Sequence, residues 1–240
     1  MTRYDQTVEM LNGFKGKVVV SLSGGLDSSV LTTFLAKHLG PENVYAISFN
    51  YNQRHDIELT KAQKTVAKLG VSHKIIDINF LGDLVSGVSA MVKGDVATPT
   101  MEDIIGDPQP VTYVPFRNLI LASLTMSYAE SVGATGIAMG IQNIDAYSYW
   151  DTTPAFAEAL QNITNLNRKH LIQILTPFVN YTKVEEIELG NEIEVAFEDT
   201  HTCYNPNEAG ESCGVCPSCM ERLAAFKKAG MVDPVPYQEK

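Results

Sequence analysis

Short apolar runs alternate with longer segments of helical character along most of the chain. The apolar runs predict five strands, at residues 17–22, 44–49, 74–78, 136–141 and 171–175. The segments between and after them predict helices at residues 28–39, 56–69, 117–132, 154–169, 182–190 and 218–229. Alternation of strands and helices at this spacing predicts an α/β fold, a parallel sheet with helices on both faces.

Residues 81–115 interrupt this alternation, because they contain four glycines and four prolines. Such a composition predicts a long loop or insertion, which in a compact domain is usually functional or mobile. Parallel sheets bind ligands at the carboxyl ends of their strands. We therefore expect functional residues just after positions 22, 49, 78, 140 and 175.

The composition is that of a globular protein that folds without crosslinks. The chain has 240 residues, of which 45% are hydrophobic, and its 18 Lys+Arg and 28 Asp+Glu give a net charge of −10. This acidic balance argues against a broad nucleic-acid surface. Neither an apolar run of membrane-spanning length nor an apolar segment typical of a signal peptide is present, so we expect a cytoplasmic protein.

A glycine-rich turn follows the first predicted strand and opens a helix. Residues 23–29 read SGGLDSS, and two glycines in such a turn expose consecutive backbone N–H groups that bind anions. The serines add hydroxyl donors, and Asp27 is placed to hold a magnesium ion or to orient a phosphate. The string is neither a Walker motif nor a dinucleotide fingerprint. A phosphate site is favoured over a merely capped strand–turn–helix joint.

All four cysteines lie within the last 38 residues, at Cys203, Cys213, Cys216 and Cys219. Clustered cysteines in a reducing compartment favour metal binding over disulfides. Four thiolates on turns that contain Gly214 and Pro217 leave no open coordination position, which is typical of structural zinc. An iron–sulfur cluster, a zinc knuckle for nucleic acid and four unrelated thiols stay open as alternatives.

The S-G-G-x-D-S string matches the signature of the PP-loop ATP pyrophosphatases, which cleave ATP between its α and β phosphates. The resemblance implies a Rossmann-like PP-loop domain, for which we predict residues 1–195, with the cysteine-rich residues 196–240 as a small C-terminal zinc-binding segment packed on it. It also implies that ATP adenylates a substrate oxygen while the loop holds pyrophosphate.

With both motifs in view, the chain resembles the 7-cyano-7-deazaguanine synthase family of the queuosine precursor pathway nearly from end to end. The matching segments are YNQRH at 51–55, YVPFRN at 113–118, Thr176-Pro177 with Lys183, and the tail from Cys203 to Tyr237. The resemblance assigns the four cysteines to zinc and implies a homodimer. It also implies that 7-carboxy-7-deazaguanine and ammonia become the nitrile at the expense of ATP and magnesium.

The family pattern also predicts roles for individual residues. We expect catalysis from Asp27, Ser23 and Lys183. Nucleotide binding is expected from Leu22, Ser23, Gly24, Gly25, Leu26, Asp27, Ser28, Ser29, Arg54 and Arg117. Substrate binding is expected from Tyr51, Asn118, Asp145, Tyr149 and Asp151. The alternatives are packing for the aromatic rings, salt bridges for the arginines, a helix cap for Lys183, and a structural or proton-shuttling role for His55.

Several positions depart from the family pattern. Asn52 and Phe116 stand where the pattern has glycine, Trp150 where it has proline, and Thr152-Thr153 where it has Cys-Arg. Threonine cannot replace the bidentate contact of an arginine with an anion. A divergent relative that stops at the amide, or that joins the activated carboxylate to another amine, is therefore the nearest alternative.

Two further alternatives remain. One is a PP-loop enzyme that acts on tRNA, although a thiolating enzyme needs a reactive cysteine outside the metal site, and the net charge does not favour a nucleic-acid partner. The other is a zinc-bearing binding module without catalysis, which would have no affinity for ATP.

Overall fold

The fold is a parallel sheet between two layers of helices. The computed structural model describes residues 1–53, 57–107, 109–143 and 149–239. Its five strands run in the spatial order β3-β2-β1-β4-β5, and every pair of neighbours is parallel. The strands are β1 Val18–Ser21, β2 Val44–Asn50, β3 Ser72–Asp77, β4 Gly136–Ala138 and β5 Gln173–Leu175. The predicted α/β fold class and all five strands are confirmed.

Nine α-helices lie in the described residues, and each predicted helix is among them. They are α1 Arg3–Met10, α2 Leu26–Leu39, α3 Ile57–Leu69, α4 Asn79–Leu84, α5 Met101–Ile104, α6 Arg117–Val132, α7 Pro154–Thr164, α8 Lys183–Glu192 and α9 Pro217–Lys228. The short helices α4 and α5 lie within or at the edge of the segment predicted as a loop.

Helix α1 is absent from the prediction because its hydrophobic pattern is weak. A capping box starts it, in which Thr2 Oγ1 accepts from Asp5 N at 3.1 Å and the Asp5 carboxylate accepts from Thr2 N at 3.1 Å. Arg3 then bonds to Glu185 and Glu188 on α8 at 3.0 and 2.8 Å. Local capping and contacts with a distant helix therefore form α1.

Strand β1 divides the core in two, because successive side chains of a strand point to opposite faces. Val18 and Val20 join the layer of α2, α3, α8 and α9, whereas Val19 joins the layer of α6 and α7. All three valines are fully buried. The strand order reverses between β1 and β4, which in open α/β sheets creates a ligand crevice at the carboxyl ends of the strands. In the described part of the chain, no helix is long and apolar enough to cross a membrane.

Candidate active site

A cavity of about 330 Å³ lies at the carboxyl ends of β1 and β4, in the range typical of small-molecule sites. The loop after β1, the segment after β2, the start of α6 and the starts of α8 and α9 contribute its walls. The functional residues were expected at this edge of the sheet. The predicted residues in its lining are Leu22, Ser23, Gly25, Leu26, Asp27, Ser28, Tyr51, Arg117, Asn118, Tyr149 and Lys183.

Hydroxyl groups hold the loop after β1 in shape. Ser23 Oγ accepts from Gly25 N at 3.1 Å, and Ser28 Oγ accepts from Ser23 N at 3.1 Å. The two hydroxyl oxygens are 3.0 Å apart. Leu22 and Leu26 are 1% exposed, so their side chains anchor the loop in the core while their backbone borders the cavity.

Two glycines let other segments approach this loop closely. Gly24 has φ +89°, and a Cβ at this position would lie 2.1 Å from the carbonyl oxygen of Glu58 on α3. Its own carbonyl accepts from His201 N at 2.9 Å, which ties the loop to the segment before the cysteines. At Gly140, after β4, a Cβ would lie 3.2 Å from the carbonyl carbon of Asp27. Position 24 therefore requires glycine, whereas at Gly140 a side chain would make a tight contact that the neighbouring backbone must relieve by a small shift.

A charged cluster lies next to the loop, partly exposed at Asp27 and fully buried at Glu186. Lys183, the first residue of α8, forms an ion pair with Asp27, the second residue of α2. Burial by itself would raise the pKa of Asp27, but the charge and hydrogen bond of Lys183 outweigh it, so that the pKa is lowered. Glu186 lies one turn after Lys183, with its Oε2 3.3 Å from Lys183 Nζ.

A second polar group, Tyr51 with Arg117 and Glu58, also lines the cavity. Burial raises the pKa of Tyr51, although Arg117 counteracts this shift through a hydrogen bond and its charge. Burial also raises the pKa of Glu58 to about 7, in spite of the nearby Arg117. Arg117 therefore offers a fixed positive charge, and Glu58 a carboxyl group poised near neutral pH, to a ligand in the cavity.

The remaining predicted substrate residues form a supporting network. Asn118 Nδ2 donates to the Asp151 carbonyl at 3.1 Å, and Asn118 N donates to the Asp151 carboxylate at 3.4 Å. Asp151 is 2% exposed and lies behind Asn118, outside the cavity lining. The hydroxyls of Tyr149 and Thr112 are 2.5 Å apart in the cavity wall. Arg54, His55 and Asp145 lie outside the described residues.

Two of the departures from the family pattern, Phe116 and Trp150, contact each other. Phe116 has φ +54°, and its ring packs edge-to-face on Trp150 with centroids 5.4 Å apart. The hydroxyl of Tyr113 accepts from both Phe116 N at 3.0 Å and Trp150 Nε1 at 2.8 Å. Thr153 caps α7 by accepting from Phe156 N at 3.2 Å. We call the exposed ring pair of Phe116 and Trp150 the aromatic rim.

The four cysteines come together as their spacing predicts. Their sulfur atoms lie within 4.8 Å of one another, and three of the four residues are buried. Cys203 Sγ accepts from Asn205 N and Cys213 N, both at 3.2 Å, and Cys216 Sγ accepts from Tyr204 N at 3.4 Å. Hydrogen bonds from backbone N–H groups favour the ionised thiolate. The cluster is therefore a donor set that could hold a metal ion.

Sequence reasoning missed several residues of this site. Glu58, His201, Glu221 and Arg222 line the cavity without having been predicted. The buried Glu186 lies behind it. For Glu58 a signal existed, because it stands in the first turn of a helix that starts near the carboxyl end of β2. For the others, the sequence pattern alone gave no reason to expect burial.

Comparison with known proteins matches most of the chain to one family. The family described as Queuosine biosynthesis protein QueC matches residues 17–230. The chain is 38% identical over 229 residues to a 7-cyano-7-deazaguanine synthase of Magnetococcus marinus, covering 92% of this chain and 96% of the relative. It is 40% identical over 230 residues to the enzyme of the same name from Legionella pneumophila, covering 93% and 97%.

Among solved structures, the U34-tRNA thiolase NcsA from Methanococcus maripaludis, a structure with a [4Fe-4S] cluster, is similar in fold. It aligns with a TM-score of 0.51 at 14% identity, over 95% of this chain and 73% of that one. At this identity the likeness shows the fold alone, and it supports the predicted PP-loop architecture. The matches to the family and to its curated members cover nearly the whole chain, which therefore belongs to the QueC family of queuosine biosynthesis proteins.

Proposed function

We propose that the protein converts 7-carboxy-7-deazaguanine and ammonia to 7-cyano-7-deazaguanine, as an ATP-dependent carbon–nitrogen ligase. The names of its relatives supply the substrate class. The observation that carries the proposal is the glycine-rich loop at the switch point of the sheet, with the Asp27–Lys183 pair directly beneath it. Backbone N–H groups at the N-terminus of α2, next to a mostly buried lysine, are suited to bind a polyphosphate.

The chemistry explains why ATP is needed twice. A carboxylate oxygen attacks the α phosphorus of ATP, pyrophosphate leaves, and the carboxyl carbon now carries AMP as a leaving group. Ammonia adds to this carbon, AMP departs with its electron pair, and loss of a proton leaves the amide. In the second cycle, the amide oxygen is adenylated, and loss of AMP and the remaining N–H protons gives the nitrile.

Each step places a demand on this chain's own residues. Backbone N–H groups at the start of α2, together with Lys183, would hold the pyrophosphate as it leaves. Asp27, whose carboxylate is bound to Lys183, would orient that lysine. Magnesium would arrive with the phosphates of ATP and neutralise part of their charge. The walls of the cavity would keep water away from the acyl adenylate and so limit its hydrolysis.

The substrate would lie toward the second polar group. Arg117 is the cation in this part of the lining, and we assign it to an anionic group, the carboxylate of the substrate or a phosphate of ATP. Tyr51 and Tyr149 would flank the flat ring, and Asn118, held by Asp151, would offer its remaining hydrogen bonds to it. Arg54 and Asp145 keep the roles that the family pattern predicts.

For the cysteine cluster we propose a structural zinc ion. Zinc–sulfur bonds of about 2.3 Å place tetrahedral sulfurs about 3.8 Å apart. The observed limit of 4.8 Å fits this geometry. A four-iron cluster sits between its cysteines and needs them farther apart. Four sulfur ligands leave no position for substrate, so the ion would stabilise the segment rather than take part in the reaction.

A second candidate function follows from the departures at 116 and 150–153. The aromatic rim is exposed, with Phe116 at 56% and Trp150 at 41%. Thr152-Thr153 follow Asp151 where the family pattern has Cys-Arg. An enzyme that releases the amide, or that joins the activated carboxylate to another amine, would use the same loop and the same adenylate.

The test is to incubate the protein with ATP, magnesium, ammonia and 7-carboxy-7-deazaguanine, and to follow AMP and product mass. We expect AMP and the nitrile from the wild type, and loss of both from Asp27→Asn with the fold intact. Glu42→Gln, an exposed carboxylate-to-amide change in the turn before β2, is the matched control. Absence of both AMP and nitrile from the wild type refutes the proposal. An amide or conjugate of matching mass would instead establish the second candidate function.

A further inference from the structure

Glu186 is a buried acid that the proposed reaction does not use directly. It is fully buried on α8, and its Oε2 lies 3.3 Å from Lys183 Nζ. Asp27 and Glu186 both contact Lys183 Nζ, so their carboxyl groups lie close together. The other Glu186 oxygen, Oε1, is buried and accepts no hydrogen bond from the described residues. Two carboxyl groups therefore share one lysine directly beneath the anion-binding loop.

The positive charges near Glu186 do not compensate a second carboxylate beside that of Asp27. From α2 it meets Asp27, and from its own helix Lys183, which forms an ion pair with Asp27. From α9, Arg222 and Glu221 come near this cluster. Arg222 is itself bound to Asp233, with Nε 2.7 Å from a carboxylate oxygen.

The remaining neighbouring element, α1, presents Arg3 to the surface side of α8, where it bonds Glu185 and Glu188. In the described structure, one lysine thus contacts two carboxyl groups, of which Glu186 is fully buried and Asp27 is partly exposed. An uncompensated buried carboxylate is costly, and burial raises the pKa of Glu186 well above its usual value. A protonated Glu186 would relieve this imbalance, because a carboxylic acid can donate a hydrogen bond to the Asp27 carboxylate that shares its lysine.

We propose that Glu186 is a positioning residue, which as a hydrogen-bond donor holds Asp27 and thereby Lys183 in the geometry that receives the phosphates of ATP. The functional part of this inference rests on the proposed function. A neutral donor is suited to the role because it orients Asp27 without adding a negative charge below the triphosphate. It also leaves Asp27 a partner when Lys183 turns toward the nucleotide.

The test compares three variants of the full chain. Glu186→Gln keeps a neutral donor of the same shape, so kcat/KM for ATP should stay within about three-fold of the wild type. Glu186→Met and Glu186→Ala remove the donor, and kcat/KM should fall about 10- to 100-fold. The melting temperature of Glu186→Met should not fall, because a buried polar group is replaced by an apolar one of similar volume.

Mg-ATP binding, measured by calorimetry, gives a readout that does not depend on the deazaguanine substrate. It should weaken in the two donor-free variants and be kept in Glu186→Gln. If the wild type makes no AMP but these affinities differ as expected, the proposed function fails and the positioning role stands. A loss in Glu186→Gln equal to that in Glu186→Met overturns the inference. So does full ATP affinity in either donor-free variant that keeps its fold.

Discussion

The strongest stability prediction concerns the buried ion pair between Arg222 and Asp233. The Asp233 carboxylate accepts from Arg222 Nε at 2.7 Å, from Arg222 Nη2 at 2.9 Å and from the Tyr237 hydroxyl at 2.6 Å. Both partners of the ion pair are 2% exposed. Arg222 further donates to Thr200 Oγ1 at 2.7 Å and to the Phe197 carbonyl at 3.2 Å. This network fastens the C-terminal residues to the turn that follows α8.

Asp233→Asn keeps the volume of the side chain but leaves the arginine charge without its counterion. Removal of one partner of a buried pair costs about 3–5 kcal/mol, because the remaining charge is uncompensated. For a chain of this size, that cost lowers the melting temperature by about 6–20 °C. Tyr237→Phe keeps the ion pair and removes one hydrogen bond to a charged group, at about 1.5–3 kcal/mol.

Urea denaturation followed by circular dichroism measures these differences. The control is Glu194→Gln, which breaks the ion pair between Glu194, 86% exposed, and Lys37, 41% exposed. This change should alter the free energy of unfolding by less than about 1 kcal/mol. If Asp233→Asn costs no more than Glu194→Gln, the argument from burial is wrong. A larger loss in Tyr237→Phe than in Asp233→Asn would contradict it as well.

Three further predictions follow from separate parts of the structure. Cys216→Ser removes one of four sulfur ligands, so the zinc bound per chain should fall well below one and the melting temperature should drop. Mass spectrometry of the metal measures the zinc content, and an unchanged content would contradict the proposed site. The pKa of Glu58 is raised to about 7, so its stabilising contribution is present below its ordinary pKa and is lost as the pH rises through 7. The stability of the wild type relative to Glu58→Gln should therefore fall between pH 5 and pH 8 in denaturation curves, and a constant difference would refute this. In a double-mutant cycle, Phe116→Gly and Trp150→Ala should show a coupling of about 0.5–1.5 kcal/mol, whereas additive effects would mean that the two rings do not interact.

The sheet and the loop could be predicted because their signals are local. Buried parallel strands read as short apolar runs, and Val18–Ser21 and Val44–Asn50 satisfy that pattern on both faces. The glycine-rich turn is equally local, since Gly24 must take a positive φ between a strand and a helix. The cysteine cluster could also be predicted from its spacing, because residues three apart at a turn lie close together without contacts from distant segments.

The polar support of the site could not be predicted, because burial of a charged residue is decided by distant partners. Glu186 has acidic neighbours on a short helix, a pattern typical of a solvent-exposed face. It is buried because α8 brings it onto Asp27, a residue of α2. Arg222 is likewise buried by Asp233 and by backbone carbonyls that the sequence pattern does not place near it.

The departures from the family pattern likewise depend on contacts that the sequence alone does not show. The sequence shows phenylalanine at a glycine position and tryptophan at a proline position as two separate changes. In the structure, Phe116 takes the left-handed conformation that the glycine of the pattern would adopt freely, at a cost of about 1–3 kcal/mol. Its ring then packs on Trp150, and both residues donate to the hydroxyl of Tyr113. The aromatic contact, which glycine and proline could not make, offsets part of the strain, so the two changes form one physical unit. Arg117, which lines the cavity, follows Phe116 directly, so this unit lies next to a cation of the site.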